Sequence, residues 1–151
     1  RTIEEAIISF KKIKQKLLDE LELNKNELSV VFYDYIKAEI EFGARKEFLK
    51  FLMLSKEKEM DDLFSKEIPQ EIMDIIAFDK SKINSTILIS EEYNKFLMLY
   101  LNFKLNILNK KYNINYEYGI QKIRTAIQNF PNESVYYFLA NYLYIQIESS
   151  L

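Results

Sequence analysis

The chain has 151 residues, 48% of them hydrophobic and 29% charged, with a formal net charge of −2. That length suits one domain with a sizeable core, and the composition excludes a disordered chain. The charge balance predicts no nucleic-acid partner and no pull towards an anionic membrane. No run approaches the roughly 18 apolar residues needed to cross a bilayer, so no membrane insertion by this chain is expected.

Cys and His are absent, and Gly and Pro occur only twice each. A chain with so few breakers is hard to fold into hairpins or around a Gly-rich phosphate loop. Without thiol or imidazole it lacks the usual nucleophiles, general bases and zinc ligands, so no catalytic residue, cofactor or metal site is expected. The chain begins at Arg1, without Met, which reads as a single helical domain (1–151) taken from a longer protein.

In chain order, the first predicted helix spans Thr2 to about Leu23. Thr2 and Glu5 have capping-box spacing, and Ile3, Ile7, Phe10, Ile13, Leu17 and Leu21 form one apolar stripe. The basic run Lys11–Lys16 falls mostly off that stripe and reads as a solvated face. After Asn24-Lys25-Asn26, a long helix is predicted from about Glu27 towards Lys58, with Gly43 marking a bend, a close helix contact or a break.

Pro69 fits the first turn of a short helix, and residues 78–85 read as a polar connector. Ser90 caps a strong helix from Glu91 to about Lys111, on which Phe96 and Tyr100 are expected to be buried. A break at Asn113-Ile114-Asn115 precedes a helix from about Tyr116 to Asn129. Phe130-Pro131-Asn132 then turns the chain into a last helix from Glu133 to about Ser149. The fold class that follows is all-α: a compact, mostly antiparallel bundle of five to seven helices ending in a helical hairpin.

The carboxylate pairs Glu4/Glu5, Asp61/Asp62 and Glu91/Glu92 are neighbours on helices. They diverge by about 100° and read as solvated, with two pairs in first turns where the helix dipole favours them. The last helix holds Tyr136, Tyr137, Phe138, Tyr142 and Tyr144, more aromatic area than one buried stripe absorbs. Phe138, Tyr142 and Ile145 are assigned to the core. Tyr137 and Tyr144 share a neighbouring stripe, and Tyr136 turns further away. Tyr136, Tyr137 and Tyr144 are therefore the candidate interface residues for a protein partner or adjoining domain.

The order Pro69, Ile83-Asn84, Ser90-Glu91-Glu92-Tyr93, Phe96 and Tyr100 resembles the helical region upstream of the thioredoxin domain in TlpA-like thiol-disulfide oxidoreductases of Bacteroidetes. Residues 116–147 resemble its continuation, a helical pair before that domain; the two stretches cover under half the chain. The family's activity lies in a Cys-x-x-Cys thioredoxin domain, which this chain lacks, so no catalytic residue carries over. The resemblance implies a non-catalytic accessory domain of an envelope protein, on the periplasmic side. Tyr116–Tyr144, with Ala126 and Pro131, also resembles a single tetratricopeptide-type unit, which implies a scaffold binding a protein or peptide.

Overall fold

The computed structural model describes residues 2–54, 68–112 and 118–150, with the backbone alone for 106–112, 118–120 and 144–150. Among the described residues the regular structure is helical: α1 (Ile3–Leu23), α2 (Val30–Leu54), α3 (Gln70–Ile76), α4 (Ser85–Leu88), α5 (Glu91–Tyr112), α6 (Tyr118–Asn129) and α7 (Asn132–Ser150). The all-α bundle is as the composition and spacing predict.

Polar side chains set most helix starts. The capping box at α1 is complete: Thr2 Oγ1 accepts from the Glu5 amide at 3.2 Å, and Glu5 Oε2 accepts from the Thr2 amide at 3.0 Å. The second helix begins three residues later than expected. Lys25–Glu27 form one 3₁₀ turn, and Ser29 Oγ accepts from the Phe32 amide at 3.2 Å, a cap that the apolar spacing hides. Pro69 precedes its helix rather than opening it; its carbonyl accepts the amides of Ile72 and Met73. The connector after Phe78 holds a 3₁₀ turn capped by Asp79, then α4 capped by Asn84. Asp61/Asp62, the Asn113–Asn115 break and the stretch 55–58 lie outside the described residues.

Helix α2 is the centre of the molecule. On one side it packs against α5, and on another it carries α1 as a hairpin. Phe42, Phe78, Tyr93, Phe96 and Tyr100 form a chain of ring contacts, with centroids 4.7 Å apart for Phe42–Tyr93 and 5.4 Å for Phe42–Phe96. Leu49, Leu52, Ile72, Ile76, Leu101 and Phe103 close the core around them. Phe10 meets Phe48 at 5.7 Å and ties α1 to that core. Helix α6 packs on α5 and pairs with α7, and Ala126, Phe130 and Phe138 are buried in the common core.

Gly43 does not break α2, which runs through it. A Cβ there would lie 3.3 Å from Glu92 Oε2, so the glycine serves the close approach of α2 to α5.

Candidate functional site

A polar network joins α2 to the start of α5. Ser90 Oγ accepts from the Tyr93 amide at 3.0 Å and donates to Glu39 Oε1 at 2.6 Å. The same Glu39 oxygen accepts from the Glu92 amide at 3.3 Å. Glu39 thus sits as an anion over the N-terminus of α5, where free amides and the helix dipole favour negative charge. Lys46 completes the joint, paired with Glu92 and with Glu47. Burial works against its charge, but the two carboxylates outweigh it and raise its pKa.

On α5, Tyr93 Oη and Ser134 Oγ lie 2.6 Å apart in the core and join α5 to α7. Burial pushes the Tyr93 phenol up to about 12, against the contrary pull of that hydrogen bond. A phenol so shifted is neutral across the physiological range and acts as a structural tie rather than as a base.

Two surface depressions flank α2. One, of about 690 Å³, is lined by Asp34, Lys37, Glu41 and Arg45 of α2 and faced by Asp79, Lys82 and Asn84. Arg45 donates to the Ala77 carbonyl and lies 5.5 Å from the Phe42 ring centroid, which turns its guanidinium to the work of holding α3. The wall carries as many acids as bases, so it has no preference for an anion or a cation. The other depression, of about 440 Å³, is an apolar groove between α1 and α2, lined by Phe10, Ile13, Leu17, Ile40, Ala44 and Phe51.

That groove refines one sequence reading. Ile13 and Leu17 share the apolar stripe of α1 with Ile7, Phe10 and Leu21, yet they are 56% and 39% exposed. The stripe is wider than the contact with α2 can cover. Its Ile7–Phe10–Leu21 side is buried, and its Ile13–Leu17 side opens into the groove.

The basic run is largely committed or solvated. Lys11 pairs with Glu71 at 2.7 Å, Lys14 lies 5.3 Å from the Phe10 ring centroid, and Lys12 and Lys16 are exposed. Glu4 and Glu5 stand exposed in the first turn of α1. Glu91 pairs with Lys95 at 2.6 Å, and Glu92 lies 3.7 Å from the same Lys95 and also pairs with Lys46, so both carboxylates are taken up in ion pairs. Among the described residues no group of His, Cys, Asp and Glu is placed to hold a metal ion.

The last helix has apolar residues on more than one side. Phe138 is buried and Tyr142 packs partly against the core. Tyr136 is 72% exposed, Tyr137 49% and Leu143 57%. Tyr136, Ala140 and Leu143, spaced four and three apart, form a stripe on the face away from Phe138, and Ala140 is exposed as well. Sequence reading singled out Tyr136 and Tyr137 but missed Leu143, which the same spacing rule would have added. The Tyr144 and Ile145 side chains lie outside the described residues.

No known protein family, curated protein or solved structure matches this chain.

Proposed function

We propose that this chain is a non-catalytic helical interaction module, the accessory domain of a cell-envelope thiol-disulfide oxidoreductase of the thioredoxin-like kind. On this reading the α7 stripe is the surface against which the adjoining domain seats. The observation that carries the docking role is the two-sided apolar character of α7. A helix apolar all round belongs in the interior of an assembly, and this one has Phe138 in the core with Tyr136 and Leu143 in solvent on the other side. Tyr brings a large rigid surface and a phenol that can stay hydrogen-bonded, which suits a contact between folded domains. The oxidoreductase assignment rests on the resemblance of residues 68–104 and 116–147 alone, and the periplasmic-side location follows from it.

The test is to read the native gene beyond Leu151, express the longer protein, and compare oxidative labelling of Tyr136 and Tyr137 with that in the isolated chain. A downstream Cys-x-x-Cys domain with strong protection of both phenols is the expected result. A gene ending at Leu151 would sink the oxidoreductase reading. A downstream domain that left the labelling unchanged would sink the docking role of α7.

A second reading is a tetratricopeptide-like scaffold for a protein or peptide. It is favoured by Ala126, a small residue fully buried on α6 ahead of the Phe130-Pro131 turn. A gene without a downstream domain, in which α7 still captures a peptide, would support it.

A further inference from the structure

The cleft of about 690 Å³ between α2 and residues 77–87 holds charges that the fold does not use. Asp34, Glu41 and Arg45 follow one another on α2 at intervals of about two turns and one turn, so they form a single row along the cleft. Asp34 and Glu41 are half-buried. Among the described residues neither makes a hydrogen bond or an ion pair, although Lys37 stands one turn from each and Arg45 one turn from Glu41. The chain closes such spacings elsewhere, with Lys50–Glu47 at 2.9 Å and Lys95–Glu91 at 2.6 Å.

Arg45 is also under-used. It gives one hydrogen bond, to the Ala77 carbonyl, and its Nε is buried without an acceptor. Burial lowers its pKa and Glu41 offsets only part of that, so the guanidinium has too little negative charge around it. The opposite wall is complete in itself. Asp79 lies 3.8 Å from Lys82 and accepts from the Ser81 amide and hydroxyl, and Lys80 donates to the Gln128 carbonyl at 2.7 Å. Both walls are thus held by contacts that need no ligand, as is usual for a small-molecule site.

We propose that this cleft binds a small zwitterion with an apolar side chain, an amino acid or a short peptide, its ammonium held by Glu41 and Asp34 and its carboxylate by Arg45. Glu41 and Arg45 are about 6 Å apart along the helix, at 1.5 Å per residue, which lets one small molecule reach both. A simple anion would meet Asp34 and Glu41, and a simple cation would meet Lys37 and Arg45. A neutral apolar molecule would strip water from these charges without replacing it. A zwitterion offers each end its opposite, and Phe42, Phe78, Ile83 and Ile87 supply an apolar lining for the side chain. The site lies away from the α7 stripe and does not depend on what that stripe docks.

Isothermal titration calorimetry on the full chain, with L-leucine and with the dipeptide Leu-Leu at millimolar concentration, should show saturable binding of at least one. Which of the two binds tells an amino-acid site from a peptide site. Ligand-observed NMR on the same samples covers binding without heat. Acetylating the amine or amidating the carboxylate of the binder should weaken it at least about tenfold, since each leaves a charged partner unanswered. Glu41→Gln should weaken the unmodified ligand by a similar factor with the urea midpoint little changed, because Glu41 has no hydrogen bond or ion pair to lose among the described residues. No binding of either zwitterion at millimolar concentration would overturn the proposal. So would capped ligands that bind as tightly as the free ones, or a Glu41→Gln chain with unaltered affinity.

Discussion

Ser90 and Glu39 form one unit, and a double-mutant cycle on them tests whether α5 is capped from a distant helix. Ser90→Ala removes the hydroxyl that accepts the Tyr93 amide, a cap of about 1 kcal/mol. It also takes from Glu39 a short hydrogen bond in a part-buried site, which adds about 1 kcal/mol or more. The expected cost of Ser90→Ala is therefore about 2–3 kcal/mol. Glu39→Ala leaves a fully buried hydroxyl without its acceptor and the Glu92 amide without its carboxylate, about 1–3 kcal/mol. Since each single change already breaks the shared bond, the double variant should be more stable than the sum predicts by about 1–2 kcal/mol. Glu39→Gln keeps an acceptor and loses the charge over the helix end, so its cost should fall to about 1 kcal/mol. Urea unfolding of the wild type and the four variants, followed by helical circular dichroism, supplies the values through a common m-value. Additivity within about 0.3 kcal/mol would refute the reasoning and reduce Glu39 to a surface charge.

Two more outcomes follow from the core. Phe96→Ala, at a fully buried ring between Phe42, Phe78 and Tyr100, should cost about 3–5 kcal/mol in the same urea experiment; an unchanged midpoint would place this face at the surface. The raised phenol of Tyr93 makes the fold sensitive to alkali. Its folded pKa of about 12 exceeds the ordinary phenol value of 10.0, so its contribution is whole below pH 10 and is lost as pH climbs towards 12. Two units correspond to about 2.7 kcal/mol at most, at 1.36 kcal/mol per unit. Tyr93→Phe should flatten the fall in stability over that window, measured by urea midpoints at stepped pH, and an identical slope would contradict it.

How much was legible in the sequence can be argued helix by helix. The capping box at Thr2 and the cap at Ser90 are local patterns, each set within three residues, and both stand in the structure. Phe96 and Tyr100 are buried, because a strong stripe on a central helix leaves little freedom in its placement. The Ser29 cap was overlooked for want of an acidic partner three residues on. Ile13 and Leu17 could not be placed, because spacing tells which residues share a face and not how wide the neighbouring helix is. Gly43 was legible as a special position, but the reason for it, Glu92 at 3.3 Å, is a tertiary contact. The exposure of Tyr136 and Tyr137 matches the crowding read from the last helix. The occupant of that surface is set by another molecule's chemistry, which one chain does not encode.

The capping of α5 by Glu39 has a consequence for the order of events in folding. Ser90 and Glu39 stand 51 residues apart, so the shared bond forms only after a long loop has closed. The α1–α2 and α6–α7 hairpins draw on near neighbours and can assemble early, whereas the joint between α2 and α5 is the non-local step that sets the pace. Substitutions at Glu39 that act through this joint should slow refolding more than they quicken unfolding, since the joint forms in the step that sets the pace.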